Sequence, residues 1–362
     1  MWKYIVSRCL RSFAFYIGVI VFTFFLLIIP VLLYGANPMC LVYPLELRHP
    51  FGIELMQQDL VKWGYVSHPD VAEWINMFWR HMLNCISGDF GHSFLTREPV
   101  SIGLSERTAN TSLLIGMSLF TSLLIGSALV AHQEGDGKQK SSKISQVSSQ
   151  ITNSAPIYWV GMVVLFAGAY VLPEHFGFGF PEYGTIYYET WYASLTTGSG
   201  GIMIFIDVLF HLVLPMSVLT LCGSSIIYST LKTNLSEKLT IEKATTDFVK
   251  GVSSEYNFYS SLRKSLQIIK EWFPVFISTV VLVEVVFNWR GVGHWLFHSI
   301  LLMDFPAIRG CIITLSLFII LADLIFDIAF NLLMGLEKNL NRIELFELRT
   351  ENYERYFVEK CR

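Results

Sequence analysis

Ser12 to Tyr34 reads SFAFYIGVIVFTFFLLIIPVLLY, and charge stays absent from there as far as Leu45. A hydrocarbon core of roughly 30 Å is crossed by about 20 mostly apolar helical residues, so this stretch is long enough to span a bilayer. Three more uncharged runs follow, at Thr108–Gln133, Ile144–Pro173 and Val208–Leu231. Two others, Trp272–Trp289 and Gly310–Leu336, are broken only by Glu284 and by Asp323 with Asp327. The pattern predicts an all-α membrane protein with six transmembrane helices, at 12–34, 109–132, 152–173, 207–231, 272–289 and 310–336.

An even number of spans puts both ends on one side, and the basic residues then choose the side. Nineteen Lys and Arg fall in the segments that share the side of the ends, against seven on the other. Both termini are therefore expected in the cytoplasm. A formal net charge of −3, with Lys and Arg gathered near span ends, leaves no nucleic-acid footprint. Lys3, Arg8 and Arg11 ahead of an apolar run imitate a signal peptide. That run is too long for an h-region and no small-x-small cleavage site follows, so it is expected to stay as the first helix. Cys40 and Cys85 share the first exterior loop, where a disulfide or two separate thiols are the alternatives.

Between the spans, Val71–Ile86 repeats Val71, Trp74, Ile75, Met77, Phe78 and Met82 at helical spacing. It is expected to form an interfacial helix, either a docking surface or a helix lying on the bundle rim. The 232–271 segment carries helical patterning on both sides of Gly251, which predicts two short amphipathic helices joined by a turn. A 40-residue connection is far above the usual 4 to 6 or so, so it is expected to contact something.

Three short stretches stand out beyond hydropathy. Gly88-Asp89-Phe90-Gly91-His92-Ser93 is followed by Pro99-Val100 and by Glu106-Arg107; Ser154-Ala155-Pro156-Ile157-Tyr158-Trp159-Val160-Gly161 opens the third span. Val283 to Gly293, VEVVFNWRGVG, leaves the fifth span and precedes Asp304-Phe305-Pro306. Together with His211–Leu221 around Pro215, their order and spacing resemble the first permease subunit of the ABC importers for dipeptides, oligopeptides and nickel. The resemblance covers about residues 1–340 and leaves 341–362 as a cytoplasmic tail. It implies a MetI-like bundle with a coupling loop at 232–271, a second permease subunit, two cytoplasmic ABC ATPases and an extracytoplasmic solute-binding protein. It also implies a bacterial inner membrane. Within the loop it singles out Thr245, Thr246, Asp247, Lys250, Gly251 and Ser253 as contacts to the ATPase. Asp247 and Phe248 replace small and basic residues expected there, the usual proline comes late at Pro274, and Arg290 stands where the family has proline. A divergent or dedicated ATPase would account for these departures.

The chemistry-bearing residues are few. Glu284 inside an apolar run costs about 2.5 to 3.5 kcal/mol on insertion scales unless it faces the bundle interior or water. It either lines a substrate path or makes a structural hydrogen bond to Asn288 or a loop. Asp323 and Asp327, with Asn331, share one helix face that cannot look at lipid. Two carboxylates and an amide without histidine make a poor metal site. Pro215 inside the fourth span is expected to bend it.

No Gly-x-x-x-x-Gly-Lys-Ser/Thr loop occurs, so ATP and Mg would belong to a partner ATPase, and no cofactor or enzymatic activity is expected on this chain. Without a His-rich or Met-rich entry site, peptides are favoured over nickel. The competing expectation is an ion-coupled secondary transporter that uses Glu284, Asp323 and Asp327 as carriers.

Overall fold

The computed structural model describes residues 2–34, 58–59, 61–66, 69–93, 96–135, 156–181, 201–245 and 254–360. Among these there is no strand. The helices are α1 (Trp2–Tyr34), α2 (Val71–Ile86), α3 (Val100–Gly135) and α4 (Ile157–Phe166), then a π-helical turn at Ala167–Val171 and α5 (Leu172–Phe176). They are followed by α6 (Gly201–Thr245), α7 (Ser254–Val286), α8 (Val292–Leu301) and α9 (Phe305–Lys360).

Five stretches of the described residues are long and apolar enough to cross a membrane: Val6–Leu26, Val100–Val130, Ile157–Phe176, Ile206–Thr233 and Phe305–Gly335. The remaining predicted span corresponds to the end of α7. Its charge-free part is confined between Glu271 and Glu284, which is why it falls short by composition alone.

Several helices outrun their apolar cores. The two short helices expected around Gly251 are instead the ends of α6 and α7, because neither Gly nor Pro interrupts Leu231–Thr245 and Pro274 is carried inside α7. Likewise, the tail forms no separate element through Lys360, since α9 meets no helix breaker after Gly335. Thr245 is the last residue of α6; Thr246, Asp247, Lys250, Gly251 and Ser253 lie outside the described residues.

The chain divides into two compact units. Met1–Met117, Pro156–Val218 and Ile277–Ile320 form one; Ser118–Ala155, Leu219–Phe276 and Leu321–Arg362 form the other.

In the second unit, α3 and α6 approach through small residues. A Cβ on Gly126 would stand 2.8 Å from Ile227, and one on Gly223 would stand 2.4 Å from the Ser122 hydroxyl. Thr121 and Thr220 hydroxyls pair at 2.7 Å. Apolar surface gains little by leaving lipid for another helix, so close backbone approach and hydrogen bonding supply the attraction.

In the first unit, α2 packs on α1. Asp70 and Glu73 form a capping box that starts α2, and its Met77, His81, Met82 and Cys85 are buried. The Nε2 of His81 lies 3.1 Å from Thr23 Oγ1 and 3.2 Å from the Ile20 carbonyl. Cys85 is a buried free thiol with its sulfur 3.7 Å from that same nitrogen, while Cys40 lies outside the described residues. Burial pushes the Cys85 thiol up to about 11.

Desolvation, helped by the Arg309 charge, pulls His81 down to about 3, so it is neutral in the folded protein near pH 7. A histidine charged more readily when unfolded contributes full stability above its ordinary value of about 6.5 and loses it as pH falls toward 3. Each pH unit in that window costs up to about 1.4 kcal/mol. The melting temperature of the purified protein is expected to drop from pH 7 to pH 5, and His81→Gln should drop less over the same interval. Equal drops would remove His81 as the cause.

Candidate functional site: the Glu284 junction

The end of α7 is closed by Asn288, whose φ of 48° is the left-handed conformation that asparagine tolerates at a helix C-terminus. The amide of Trp289 reaches back to the Glu284 carbonyl at 2.8 Å. The Trp289 side chain is buried, with its indole N–H donating to the Asn110 carbonyl at 3.2 Å, and Asn110 Nδ2 donates to the Arg290 carbonyl at 3.1 Å. The turn out of α7 is thereby fastened to α3.

α8 then begins with a glycine at its N-cap, Gly291, which has no side chain to satisfy the first free N–H groups. Those groups are met from elsewhere in the sequence. Val292 N–H donates to Thr111 Oγ1 at 2.8 Å. Gly293 N–H and His294 N–H donate to Glu284 Oε2 at 2.7 and 3.1 Å. Thr111 in turn donates its hydroxyl to Glu284 Oε1 at 2.6 Å. Glu284 is fully buried, and its carboxylate serves as a cap supplied in trans to the positive end of α8.

Close approach explains the glycines of Arg290-Gly291-Val292-Gly293. A Cβ on Gly291 would stand 2.1 Å from Glu284 Oε1 and 2.4 Å from Thr111 Oγ1. On Gly293 it would stand 2.7 Å from the Val281 Cα, a backbone atom that cannot swing aside. The conformation of these glycines is ordinary; the space they leave is what matters.

A second convergence joins Gly88–Ser93 to the start of α9. Gly91, at φ 82°, lets the chain turn so that Ser93 donates to Asp304 Oδ2 at 2.6 Å. The other oxygen of Asp304 accepts from Ala307 N–H at 3.3 Å, capping α9. Arg309 is buried, lies 3.7 Å over the Trp63 ring, and donates to the Phe90 carbonyl at 2.6 Å and to the Tyr65 hydroxyl at 3.3 Å. Burial raises the Tyr65 phenol above its ordinary value, against the pull of Arg309. Arg107 stacks 4.2 Å over Trp295 of α8. Half-buried beside these groups, His294 is pulled down to about 4 by desolvation first and then by the charges of His298, Arg107 and Arg290.

Of the expected site residues, Glu284 is thus in the interior, bound to a hydroxyl and a helix terminus rather than to Asn288. Asn288 itself is exposed in its turn. In the second unit, Asp323 and Asp327 meet Lys270 of α7, whose Nζ is 2.8 Å from Asp323 and 2.5 Å from Asp327. Asn331 continues the row but donates to the Asp327 carbonyl at 2.7 Å. Lys270→Met is expected to cost about 1 to 2 kcal/mol, because it strands the buried Asp327 while Asp323 retains water. Thermal unfolding in detergent measures it, and an unchanged midpoint would discount the ion pair.

Pro215 lies inside α6. Its neighbour Leu214 fills the space that Gly168 leaves in the π-helical turn, where a Cβ would stand 2.5 Å from Leu214 Cδ2. Sequence reading missed Thr111, Arg309 and Lys270. Each lies at the margin of an apolar run; only Lys270, just ahead of one span while the next span carries two unmatched carboxylates, carried a readable signal.

No family model matches the chain. It is 27% identical over 263 residues to the "Dipeptide transport system permease protein DppB" of Haemophilus influenzae, covering 68% of this chain and 76% of that protein. Over 341 residues it is 25% identical to the "Oligopeptide transport system permease protein AppB" of Bacillus subtilis, covering 91% and 97%. The "Probable D,D-dipeptide transport system permease protein DdpB" of Escherichia coli is 26% identical over 268 residues, covering 70% and 77%. Over most of its length this chain is thus similar to one kind of protein, the permease subunits of dipeptide and oligopeptide transport systems, and it carries apolar helices of spanning length as a transport permease requires.

Proposed function

We propose that this permease encloses, with a second homologous permease subunit, a path for di- or oligopeptides across the bacterial inner membrane, with six spans and both ends in the cytoplasm. Two cytoplasmic ABC ATPases supply the energy through the segment between α6 and α7, centred on Gly251. An extracytoplasmic solute-binding protein delivers the cargo. ATP and Mg belong to the ATPases. The observation that carries this reading is the end-to-end similarity to AppB, which covers 91% of the chain. An energy source outside the chain also fits the absence of a phosphate-binding loop from its sequence.

The carboxylates needed by an ion-coupled carrier are otherwise engaged. Glu284 caps α8 and hydrogen-bonds Thr111, and the aspartates hold Lys270. Purification of the tagged full-length chain from its own host should bring down an ABC ATPase and a second permease. Vesicles holding that complex should accumulate labelled dipeptide only with hydrolysable ATP and the solute receptor. Uptake sustained by an ion gradient with no ATPase present would refute the proposal.

A further inference from the structure

α2 divides into three faces, each taking roughly a third of the turn at 100° per residue. Met77, His81, Met82 and Cys85 are buried on the body of the first unit. Glu73, Asn76, Arg80 and Asn84 form a polar face, where Arg80 is held by Asn76 and the Val61 carbonyl. The third face carries Val71, Ile75, Trp79, Leu83 and Ile86, all between 50% and 78% exposed. A helix needing only water and protein as neighbours would have two faces.

What adjoins the third face identifies its neighbour. α2 does not sit beyond the end of α1. It touches α1 at Ile20, Thr23 and Phe24, within the last two turns of the apolar stretch Val6–Leu26. α2 therefore lies alongside an apolar span, at a depth where the span's own outward residues, Phe22, Phe25 and Ile29, are exposed. A run of aromatic contacts joins the two surfaces: Phe25 to Phe24 at 6.3 Å, Phe24 to Phe78 at 5.2 Å, and Phe78 to Trp79 at 5.9 Å between ring centres. Both ends of that run, Phe25 and Trp79, are outward-facing, so the exposed apolar side of α1 passes into the open face of α2 without a polar break.

We infer that the Val71–Ile75–Trp79–Leu83–Ile86 face of α2 is a membrane anchor, immersed in the acyl region of the leaflet beside the Tyr34 end of α1, with the Arg80 face toward water. The inference depends on the chain being a membrane protein and not on its cargo or energy source. Burial of apolar side chains and of Trp79 near the interface holds the helix parallel to the membrane, and the His81 contact ties it to α1.

Spin labels placed by Ile75→Cys and Leu83→Cys, with Asn76→Cys as the polar-face control, test this. The background replaces Cys9, Cys40 and Cys361 by Ser, and the full-length protein with its copurifying subunits is placed in phosphatidylethanolamine–phosphatidylglycerol vesicles. Collision with oxygen should exceed collision with a water-soluble nickel chelate at 75 and 83, and the order should reverse at 76. Chelate access at 75 and 83 would show that the face looks at water. Exclusion of both reagents there would show that a protein subunit covers it. Either result overturns the inference.

Discussion

Replacing Glu284 with alanine is expected to cost about 4 kcal/mol of folding stability, on the basis that hydrogen bonds to a charged group contribute about 1.5 to 3 kcal/mol each and buried donors left alone add their desolvation. The variant leaves Gly293 N–H and His294 N–H without their acceptor in a buried site, and frees the Thr111 hydroxyl from its partner. Glu284→Gln keeps one oxygen and presents an amide donor where the second oxygen stood, so it should lose about half as much. Gly293→Ala should be damaging without touching the carboxylate, since its Cβ meets backbone at 2.7 Å. Thermal unfolding in detergent, followed by tryptophan fluorescence, ranks the three. A Glu284→Ala midpoint equal to that of the parent would refute the capping role. If Glu284 instead contacted cargo, Glu284→Gln would shift the uptake KM while leaving the melting temperature in place.

Arg309→Leu is expected to cost about 3 kcal/mol, from the lost charge-assisted hydrogen bond to the Phe90 carbonyl and the lost stacking on Trp63. The effect should spread, because the same guanidinium touches Tyr65 and clasps the Gly88–Ser93 turn to α9. Arg309→Lys keeps the charge but replaces a planar fork with a point charge that cannot lie flat on the indole. It should recover less than half of the loss. Protection of the Gly88–Ser93 amides from hydrogen exchange should fall in Arg309→Leu at pH 7, and unchanged protection would sink the clasp.

Periodicity or apolar length sufficed where a helix carries a regular pattern along its whole length. Val71–Ile86 is legible because it alternates apolar and polar positions at 3.6-residue spacing and starts at an Asp–Glu capping box. Apolar length likewise marks the membrane stretches of α1, α3, α6 and α9, since lipid rewards composition more than sequence order. Helix ends were less legible. α6, α7 and α9 continue beyond their apolar parts because nothing in the adjoining polar sequence stops a helix, and length in water is set by contacts that composition does not encode.

The sequence by itself therefore determined the helical membrane class and the similarity to peptide-transport permeases, both of which depend on local composition or on short runs read in order. It also flagged Glu284 as anomalous, because a carboxylate among apolar residues is costly wherever it lies. Only the tertiary structure decided how that cost is met. Glu284 is paired with Thr111 and with the amides of Gly293 and His294, Ser93 with Asp304, and Arg309 with Phe90 and Trp63. Apart from the amides nine and ten residues on, these partners lie more than 170 positions away in the chain. A hydrogen bond depends on atoms being within about 3 Å, and no periodic pattern in one dimension specifies which distant polar group will be brought to that distance.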